Sequence, residues 1–297
     1  MKKEIRLLRE NFIFYLAGLL IALGMKCYYH QADCDSLLWV LAPTARWVEF
    51  LSGIPFTYIS GAGYVNHSLR MVIAASCSGV RFMMITFVML VFSFVHMIAV
   101  GQEKTVCGNA GFENSAMTRL EIWSGEAGTF WAYVKETLHG IVKKGQWFAR
   151  GFVWIAASAF FSWLLTVFVN GLRIIIAVYL PIYLEDAGLM GGMLTQDRLH
   201  TLIGVVVYFT ALLTIYRLAG WLVQKSAGPV RTPMSLLRKC AFPVFWYLSF
   251  TLGLPLLNRS GRAGTGEFAE FALLVTAGCG LILLPCVLCS LYRRQRK

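Results

Sequence analysis

Residues 79–100 read GVRFMMITFVMLVFSFVHMIAV, an apolar run in which Arg81 and His96 are the only ionisable residues. A helix needs about 20 apolar residues to cross the roughly 30 Å hydrocarbon core of a bilayer, so this stretch predicts a membrane-spanning helix. Further stretches of similar character lie at 11–29, 151–172, 200–223, 240–257 and 271–292. We therefore expect an all-α, polytopic integral membrane protein with about six transmembrane helices and some interfacial helices.

The composition agrees with that expectation. Hydrophobic residues make up 58% of the 297 residues and charged residues only 14%, against about 25% charged in soluble proteins. So few charges cannot cover a water-facing surface, which excludes a disordered chain, a soluble nucleic-acid binder and an ordinary cytosolic enzyme. No repeat or linker divides the sequence. We therefore predict a single membrane-embedded domain over 1–297, with a core at about 61–223 and a C-terminal helical pair at 240–292.

The distribution of basic residues predicts the orientation. With the N-terminus inside, the inner segments hold 18 of the 27 lysines and arginines. Lys and Arg concentrate in loops that stay in the cytoplasm, so the net charge of +12 reflects topology and not a nucleic-acid partner. We expect a multi-pass protein of the bacterial cytoplasmic membrane, with both termini cytoplasmic and no cleaved signal peptide.

Three segments depart from a simple crossing. Residues 37–56 mix tryptophans with charges, which suits an interfacial or re-entrant helix on the outer side. In the inner loop 101–150, apolar residues from Trp131 to Ile141 recur at helical spacing and predict a helix on the inner leaflet. The third apolar run continues to 184, which is too long for one straight crossing. We therefore expect it to break or to emerge from the membrane near Asn170 and Gly171, and Pro181 supports an irregular end.

Common catalytic and cofactor motifs are absent from the sequence. No two of the five histidines are four residues apart, and there is no phosphate loop, dinucleotide fingerprint or GxSxG elbow. We expect no metal and no cofactor. Cys27 and Cys34 lie together at the outer end of the first span, where a disulfide is one of two alternatives, the other being two free thiols. Cys77 is then the odd outer thiol.

The predicted topology places three reactive groups at one membrane depth on the outer side: Cys77, Arg173 and His200. A helix N-terminus and the nearby Arg81 favour the thiolate, which is the attacking species. His200 can accept the thiol proton and later protonate a leaving amine. Arg173 can hold the oxyanion of a tetrahedral intermediate. Ser78, Arg81 and Asn170 are assigned substrate-orienting roles, and for Arg81 a structural role is the alternative.

Each group also has an ordinary interpretation. A lone membrane cysteine is commonly a packing residue, and an arginine at a helix end can extend to the interface. A transporter or channel would use Arg81 and Arg173 to line a polar path, and it predicts paired acidic residues inside the spans. A non-catalytic assembly protein predicts that Cys77 is replaceable by alanine.

The segments that carry the three groups resemble one known family. Cys77-Ser78-Gly79 before an apolar helix is similar to the nucleophile motif of the exosortase and archaeosortase family. Asn170 to Arg173 is similar to its Asn-x-x-Arg motif, and His200 with Gly204 to its histidine-containing helix start. The order along the chain also matches, over about 61–212, and residues 42–64 resemble the exosortase K branch. Family members commonly have more spans than six, and the loop 101–150 has no match to them.

The resemblance implies a cysteine-dependent protease-transpeptidase. Its protein partner would be an exported protein with a C-terminal sorting signal, made of a short motif such as Pro-Glu-Pro, a transmembrane helix and a basic tail. Cleavage on the outer face would leave a thioester on Cys77, which a nucleophilic acceptor would resolve. The further partners expected are membrane lipids, and no nucleic acid.

Overall fold

The structure is a computed structural model that describes residues 11–68, 71–93, 126–188, 191, 195–227, 236–257 and 266–295. The end of the second predicted span at 94–100 and the first half of the inner loop, at 101–125, lie outside these residues. The described chain is almost entirely helical, which confirms the all-α class. The elements, in chain order, are α1 Phe12–Gln31, α2 Leu38–Ser52, β1 Thr57–Ile59, β2 Gly63–Asn66, β3 Met71–Ile73, α3 at 80–93, α4 Glu126–Asp186, α5 Gln196–Ala227, α6 Leu236–Leu248, α7 Leu254–Leu257 and α8 Gly266–Gln295.

Five helices in the described part of the chain are long and apolar enough to cross a membrane. They lie at Phe12–Gln31, Ala75–Ser93, Phe148–Asp186, Gln196–Trp221 and Gly266–Pro285. The remaining predicted span corresponds to a shorter apolar helix, Cys240–Leu256, which includes a π-helical turn at Ser249–Gly253. The chain is therefore a multi-pass membrane protein, and its described residues include five long apolar helices and one shorter apolar helix.

Of the two predicted alternatives near Asn170 and Gly171, the break is wrong, because α4 runs without interruption from Glu126 to Asp186. Emergence of the helix from the membrane at this point stays a prediction. Asn170 does not compete with the hydrogen bonds of its own helix, since its side chain bonds to other elements. Gly171 lies directly against Trp47, so the close packing offsets the conformational cost of glycine in a helix. The predicted inner helix around Trp131 is part of this same helix and not a separate element.

Contacts divide the chain into two compact units. The first comprises Met1–Ile21 and Leu90–Phe160. Within its described residues, aromatic side chains pack between helices: the rings of Tyr15 and Phe92 stack with centroids 4.5 Å apart. Gly18 lies against Val91, where a side-chain carbon would come within 2.8 Å of a Val91 methyl group.

The second unit comprises Ala22–Met89 and Phe161–Lys297. Its two apolar cores are built from side chains that have almost no exposure. One core packs α2 and β3 against α3 and α4, with residues that include Leu41, Val48, Ile73, Met83 and Ile174. The other packs α3 against α5, α6 and α8, with residues that include Phe82, Phe209, Leu212, Tyr247 and Val275. All candidate catalytic residues lie in this second unit.

Sequence reasoning correctly placed a helix at 37–56, observed as α2, but it missed the sheet that follows. The three short strands pair antiparallel in the order β1-β2-β3. Their residues are largely β-branched or aromatic, which favours strands. Gly63, with φ of 105°, lies so close to β3 that a side-chain carbon would meet the Ile73 carbonyl oxygen at 2.5 Å. The sheet leads the chain directly into the turn that carries Cys77.

Asp35 holds the hairpin of this sheet. Its carboxylate accepts hydrogen bonds from the Tyr58 hydroxyl, from Ser60 Oγ at 2.7 Å and from the Gly61 backbone N–H at 3.0 Å. The Tyr58 hydrogen bond is the largest cause of a lowered Asp35 pKa, and the N–H of Gly61 and the hydroxyl of Ser60 lower it further. Because the phenol donates to the carboxylate, the pKa of Tyr58 is raised to about 12.

We expect Asp35→Asn to lower the unfolding temperature of the purified protein at neutral pH. A carboxylate whose folded pKa is lowered stabilises the fold above its unfolded pKa, and that contribution is lost as the pH falls through the folded pKa. The difference in unfolding temperature between wild type and variant, measured in detergent, should therefore become smaller at acidic pH. Asp186→Asn, at an exposed helix end, is the control with little effect. An equal difference at every pH would contradict this assignment.

Candidate active site

Cys77 lies in a tight turn between the sheet and α3. The turn is a short 3₁₀ helix, Ala75–Cys77, in which the Cys77 N–H donates to the Ala74 carbonyl at 2.9 Å. Gly79 follows with φ of 73°, and α3 begins at residue 80. The expected helix start beside the thiol is therefore present. The side chain of Cys77 is half-buried, and its sulfur lies 4.0 Å from the Ser76 hydroxyl.

Asn170 ties this turn to α4 and α5. Its side-chain N–H donates to the Cys77 carbonyl at 2.5 Å, and its side-chain oxygen accepts from the Tyr208 hydroxyl at 2.6 Å. Asn170 is completely buried, so both hydrogen bonds are shielded from water. The backbone at Cys77 is therefore fixed by a buried amide from α4 and, through it, by a phenol from α5.

Arg173 and His200 are in direct contact. Arg173 lies one turn after Asn170 on α4, and its Nη2 is 2.7 Å from His200 Nε2. A guanidinium has only donors, so His200 Nε2 must accept and the neutral imidazole carries its proton on Nδ1. Arg173 is 9% exposed, and within the described structure its buried Nε has no hydrogen-bond partner. Arg173 therefore holds a spare, buried donor beside the histidine.

The first turn of α5 fixes the position of His200. Thr195 Oγ1 accepts the backbone N–H of Arg198 at 3.4 Å, an N-terminal capping arrangement. Arg198 Nε pairs with Glu270 at 2.5 Å, which ties the start of α5 to the start of α8. The imidazole is thus presented from the anchored end of a long helix.

Tyr208 is a site residue that the sequence reasoning missed. Besides its bond to Asn170, its ring lies beneath the Arg173 guanidinium, with Cζ 5.4 Å from the ring centroid, in cation–π range. His200, Gly204 and Tyr208 recur every four residues, so they share one helix face. Gly204 lies between the other two residues on that face, and its lack of a side chain leaves room for Arg173. A side-chain carbon at Gly204 would lie 3.4 Å from Arg173 Nε. This spacing within an apolar span was the signal that could have identified Tyr208.

A cavity of about 300 Å³ opens beside these residues. Its polar lining includes Ser76, Arg81, Arg173, His200, Thr201 and Tyr208. Phe82, Val205, Phe271 and Val275 supply apolar walls. The cavity therefore has the lining of a ligand-binding site, in which apolar walls surround a few polar groups.

The predicted residues are brought together to different degrees. Arg173 and His200 touch, and Arg81 is exposed at the cavity. Asn170 binds the Cys77 carbonyl and is linked to Arg173 through Tyr208. In the described structure, no hydrogen bond joins the Cys77 sulfur to the His200 ring, and Cys77 is not among the lining residues, although its neighbours Ser76 and Gly79 are. Ser78 is completely buried outside the lining, so its predicted contact with substrate stays a prediction.

Gly79 is required by both its conformation and its surroundings. A side-chain carbon there would lie 2.9 Å from Asn170 Cγ and 3.0 Å from Thr166 Cγ2. Gly53 has a similar φ of 69° but faces open space, which makes it a matched control. We expect Gly53→Ala to lower the free energy of unfolding by about 1 kcal/mol through backbone strain alone. Gly79→Ala should cost roughly 1–3 kcal/mol more because of overpacking, measured by denaturant or thermal unfolding in detergent. Equal losses for the two variants would contradict the tight contact with Asn170.

Cys27 and Cys34 are the other two cysteines of the predicted outer side. Cys27 is exposed and Cys34 is buried, and both are free thiols in the structure. Among the described residues there is no group of three or more His, Cys, Asp or Glu side chains that could hold a metal ion. Comparisons of the chain with protein-family models, with curated proteins and with solved structures give no match.

Proposed function

We propose that this protein is a membrane-embedded cysteine protease-transpeptidase of the exosortase type. The observation that carries the proposal is the continuous set of contacts from the Cys77 carbonyl through Asn170 and Tyr208 to Arg173 and His200. Three segments far apart in the sequence, each resembling a motif of one family, meet at one cavity. The enzyme would act on the outer face of a bacterial cytoplasmic membrane, with both termini inside.

In the first step, the Cys77 sulfur attacks the carbonyl carbon of the scissile peptide. The thiol proton passes to His200 Nε2, which becomes available when Arg173 turns its donors from the imidazole to the substrate carbonyl. The C=O bond becomes a C–O⁻ bond, and Arg173 neutralises the oxyanion. The unpartnered Nε of Arg173 supports this role, because a buried donor without a partner costs about 1–3 kcal/mol that a substrate oxygen would recover.

In the second step, the tetrahedral intermediate collapses. The C–N bond breaks, His200 gives its proton to the leaving amine, and a thioester remains on Cys77. A nucleophilic acceptor then attacks the thioester, its proton passes to His200, and the Cys77 sulfur leaves and is reprotonated. The released fragment would be the transmembrane helix and basic tail of an exported protein.

The rival transporter function needs acidic partners for the arginines inside the membrane. The polar group in contact with Arg173 is instead His200, and its neighbouring ring is Tyr208. Glu270, at the start of α8, pairs with Arg198 outside the cavity lining. These contacts favour an enzyme over an ion path.

The proposal is tested by trapping the thioester. The full-length protein is co-expressed with an exported reporter that ends in Pro-Glu-Pro, a transmembrane helix and a basic tail, and a reporter without the Pro-Glu-Pro motif serves as control. We expect an adduct with the summed mass of enzyme and processed reporter, cleaved by hydroxylamine and formed only with the motif. Processing of the reporter without any hydroxylamine-sensitive adduct, even on rapid quenching, would overturn the covalent mechanism.

A further inference from the structure

The turn between the sheet and α3 presents a row of backbone N–H groups that have no backbone partner. The N–H of Ser78 donates to the Ala75 carbonyl at 3.1 Å. The next such bond runs from the Met83 N–H to the Gly79 carbonyl, at 3.0 Å. Within the described structure, the N–H groups of residues 79–82 in between donate to no backbone carbonyl. N–H groups at a helix start carry a partial positive charge and point away from the helix, so they favour an anion.

The backbone conformation turns two of these donors toward one point. Ser78 is right-handed, with φ of −67° and ψ of −21°, and Gly79 is left-handed, with φ of 73°. This succession of conformations forms a concavity of N–H groups, called a nest, which binds anions. Because the N–H of Ser78 is engaged with Ala75, the free donors of the nest are those of Gly79 and Val80.

The nest lies at the cavity beside Arg173 and His200. Gly79 and Val80 both belong to the lining of that cavity. Arg173 indicates independently that a ligand atom accepts a hydrogen bond there, because its side chain is 9% exposed and its buried Nε has no hydrogen-bond partner within the described structure. Gly204, which also lines the cavity, leaves room next to this Nε. No described residue of the lining is acidic, so the negative group must come from a ligand.

Asn170 holds the nest and Arg173 in a fixed relation. The side-chain N–H of Asn170 donates to the Cys77 carbonyl at 2.5 Å, and a side-chain carbon at Gly79 would lie 2.9 Å from Asn170 Cγ. Arg173 follows one turn later on α4. The donors are therefore oriented before a substrate binds, and such donors stabilise a developing charge without any reorganisation at the moment of reaction.

We propose that the backbone N–H groups of Gly79 and Val80 form, together with Arg173, the oxyanion-binding site of the enzyme. This inference rests on the proposed transpeptidase function. When the Cys77 sulfur bonds to the substrate carbonyl carbon, the C=O bond becomes a C–O⁻ bond and the thiol proton moves to His200. The two N–H groups donate to this oxyanion. When the C–N bond breaks, the C=O bond forms again, so the donors stabilise the intermediate more than the substrate.

The test removes one N–H group from the full-length protein. Val80 is replaced by its α-hydroxy acid through nonsense suppression, so that an ester oxygen takes the place of the N–H and the side chain is kept. We expect processing of the Pro-Glu-Pro reporter to slow by about a hundredfold or more, the usual effect of losing one oxyanion donor. Alkylation of Cys77 by iodoacetamide forms no tetrahedral oxyanion, so its rate should change by less than about threefold.

Two controls match this replacement. Reinsertion of valine at position 80 by the same suppression should restore the wild-type rate. The α-hydroxy acid of tryptophan at Trp39 is the positional control, because Trp39 is the second residue of α2 and lies outside the cavity lining. Its N–H also donates to no backbone carbonyl in the described structure, so this ester should process the reporter at the wild-type rate. Glycolic acid in place of Gly79 removes the other donor and should slow processing as the Val80 ester does.

Two results would overturn the inference. Processing by both the Val80 ester and the Gly79 ester at the rate of the controls would show that these N–H groups do not bind the oxyanion. An equal fall in processing and in alkylation would show that they bind the Cys77 thiolate instead of the substrate. The hydroxylamine-sensitive adduct is measured separately in the wild type, so failure of the proposed function is distinguished from failure of this inference.

Discussion

We expect Cys77→Ala to abolish processing of the motif-bearing reporter, with a loss of at least about a thousandfold in rate. Removal of a catalytic nucleophile costs this much or more, because the remaining groups can only bind and polarise the substrate. The measurement is release of the processed reporter after a pulse of expression, with equal amounts of each variant in the membrane.

Cys27→Ala is the matched control, because Cys27 is an exposed thiol near the end of α1 and does not line the cavity. It should process the reporter at the wild-type rate. Normal processing by Cys77→Ala would instead favour a protein that only assembles or scaffolds, for which Cys77 is a packing residue.

Arg173→Ala should lower the rate by about a hundredfold to a thousandfold, the usual effect of removing an oxyanion donor. Arg173→Lys should be almost as inactive, although it keeps the charge. A lysine ammonium is a compact point charge, whereas the guanidinium contacts His200 through Nη2, lies over the Tyr208 ring and still offers Nε. The rates are measured with the same reporter.

Arg46→Ala is the control for the loss of an arginine, since Arg46 is exposed on α2 and is not among the lining residues. Its rate should stay within about twofold of wild type, the usual range for a surface substitution. Full activity of Arg173→Lys would show that only a positive charge is needed, and it would contradict the oxyanion geometry.

The sequence predicted the helices well, because long apolar runs carry a strong signal. It failed where tertiary contacts override local preference. Asn170 and Gly171 resemble a helix break, but the contacts of Asn170 with Cys77 and Tyr208, and the packing of Gly171 against Trp47, keep α4 continuous. The sheet was not predicted, because its strands have only three or four residues. Such strands are too short to show a clear alternation of apolar and polar residues.

The sequence predicts one membrane depth for Cys77, Arg173 and His200, but it carries no information on their lateral contacts. The direct Arg173–His200 contact depends on how α4 and α5 pack. The linking role of Asn170 depends on a carbonyl group, which no side-chain pattern reveals. In the sequence, Tyr208 resembles any aromatic residue of a membrane span. Its role depends on the hydrogen bond that its hydroxyl donates to Asn170.

The central claim is that Cys77 is an activated thiol on the outer face, and labelling of intact spheroplasts with a membrane-impermeant maleimide tests it most directly. In a Cys27→Ser background, we predict rapid labelling that disappears with Cys77→Ala and slows with His200→Ala, but not with His67→Ala, an exposed histidine. Absence of Cys77 labelling, while the same reagent labels Cys27 in the protein that retains it, would contradict the account.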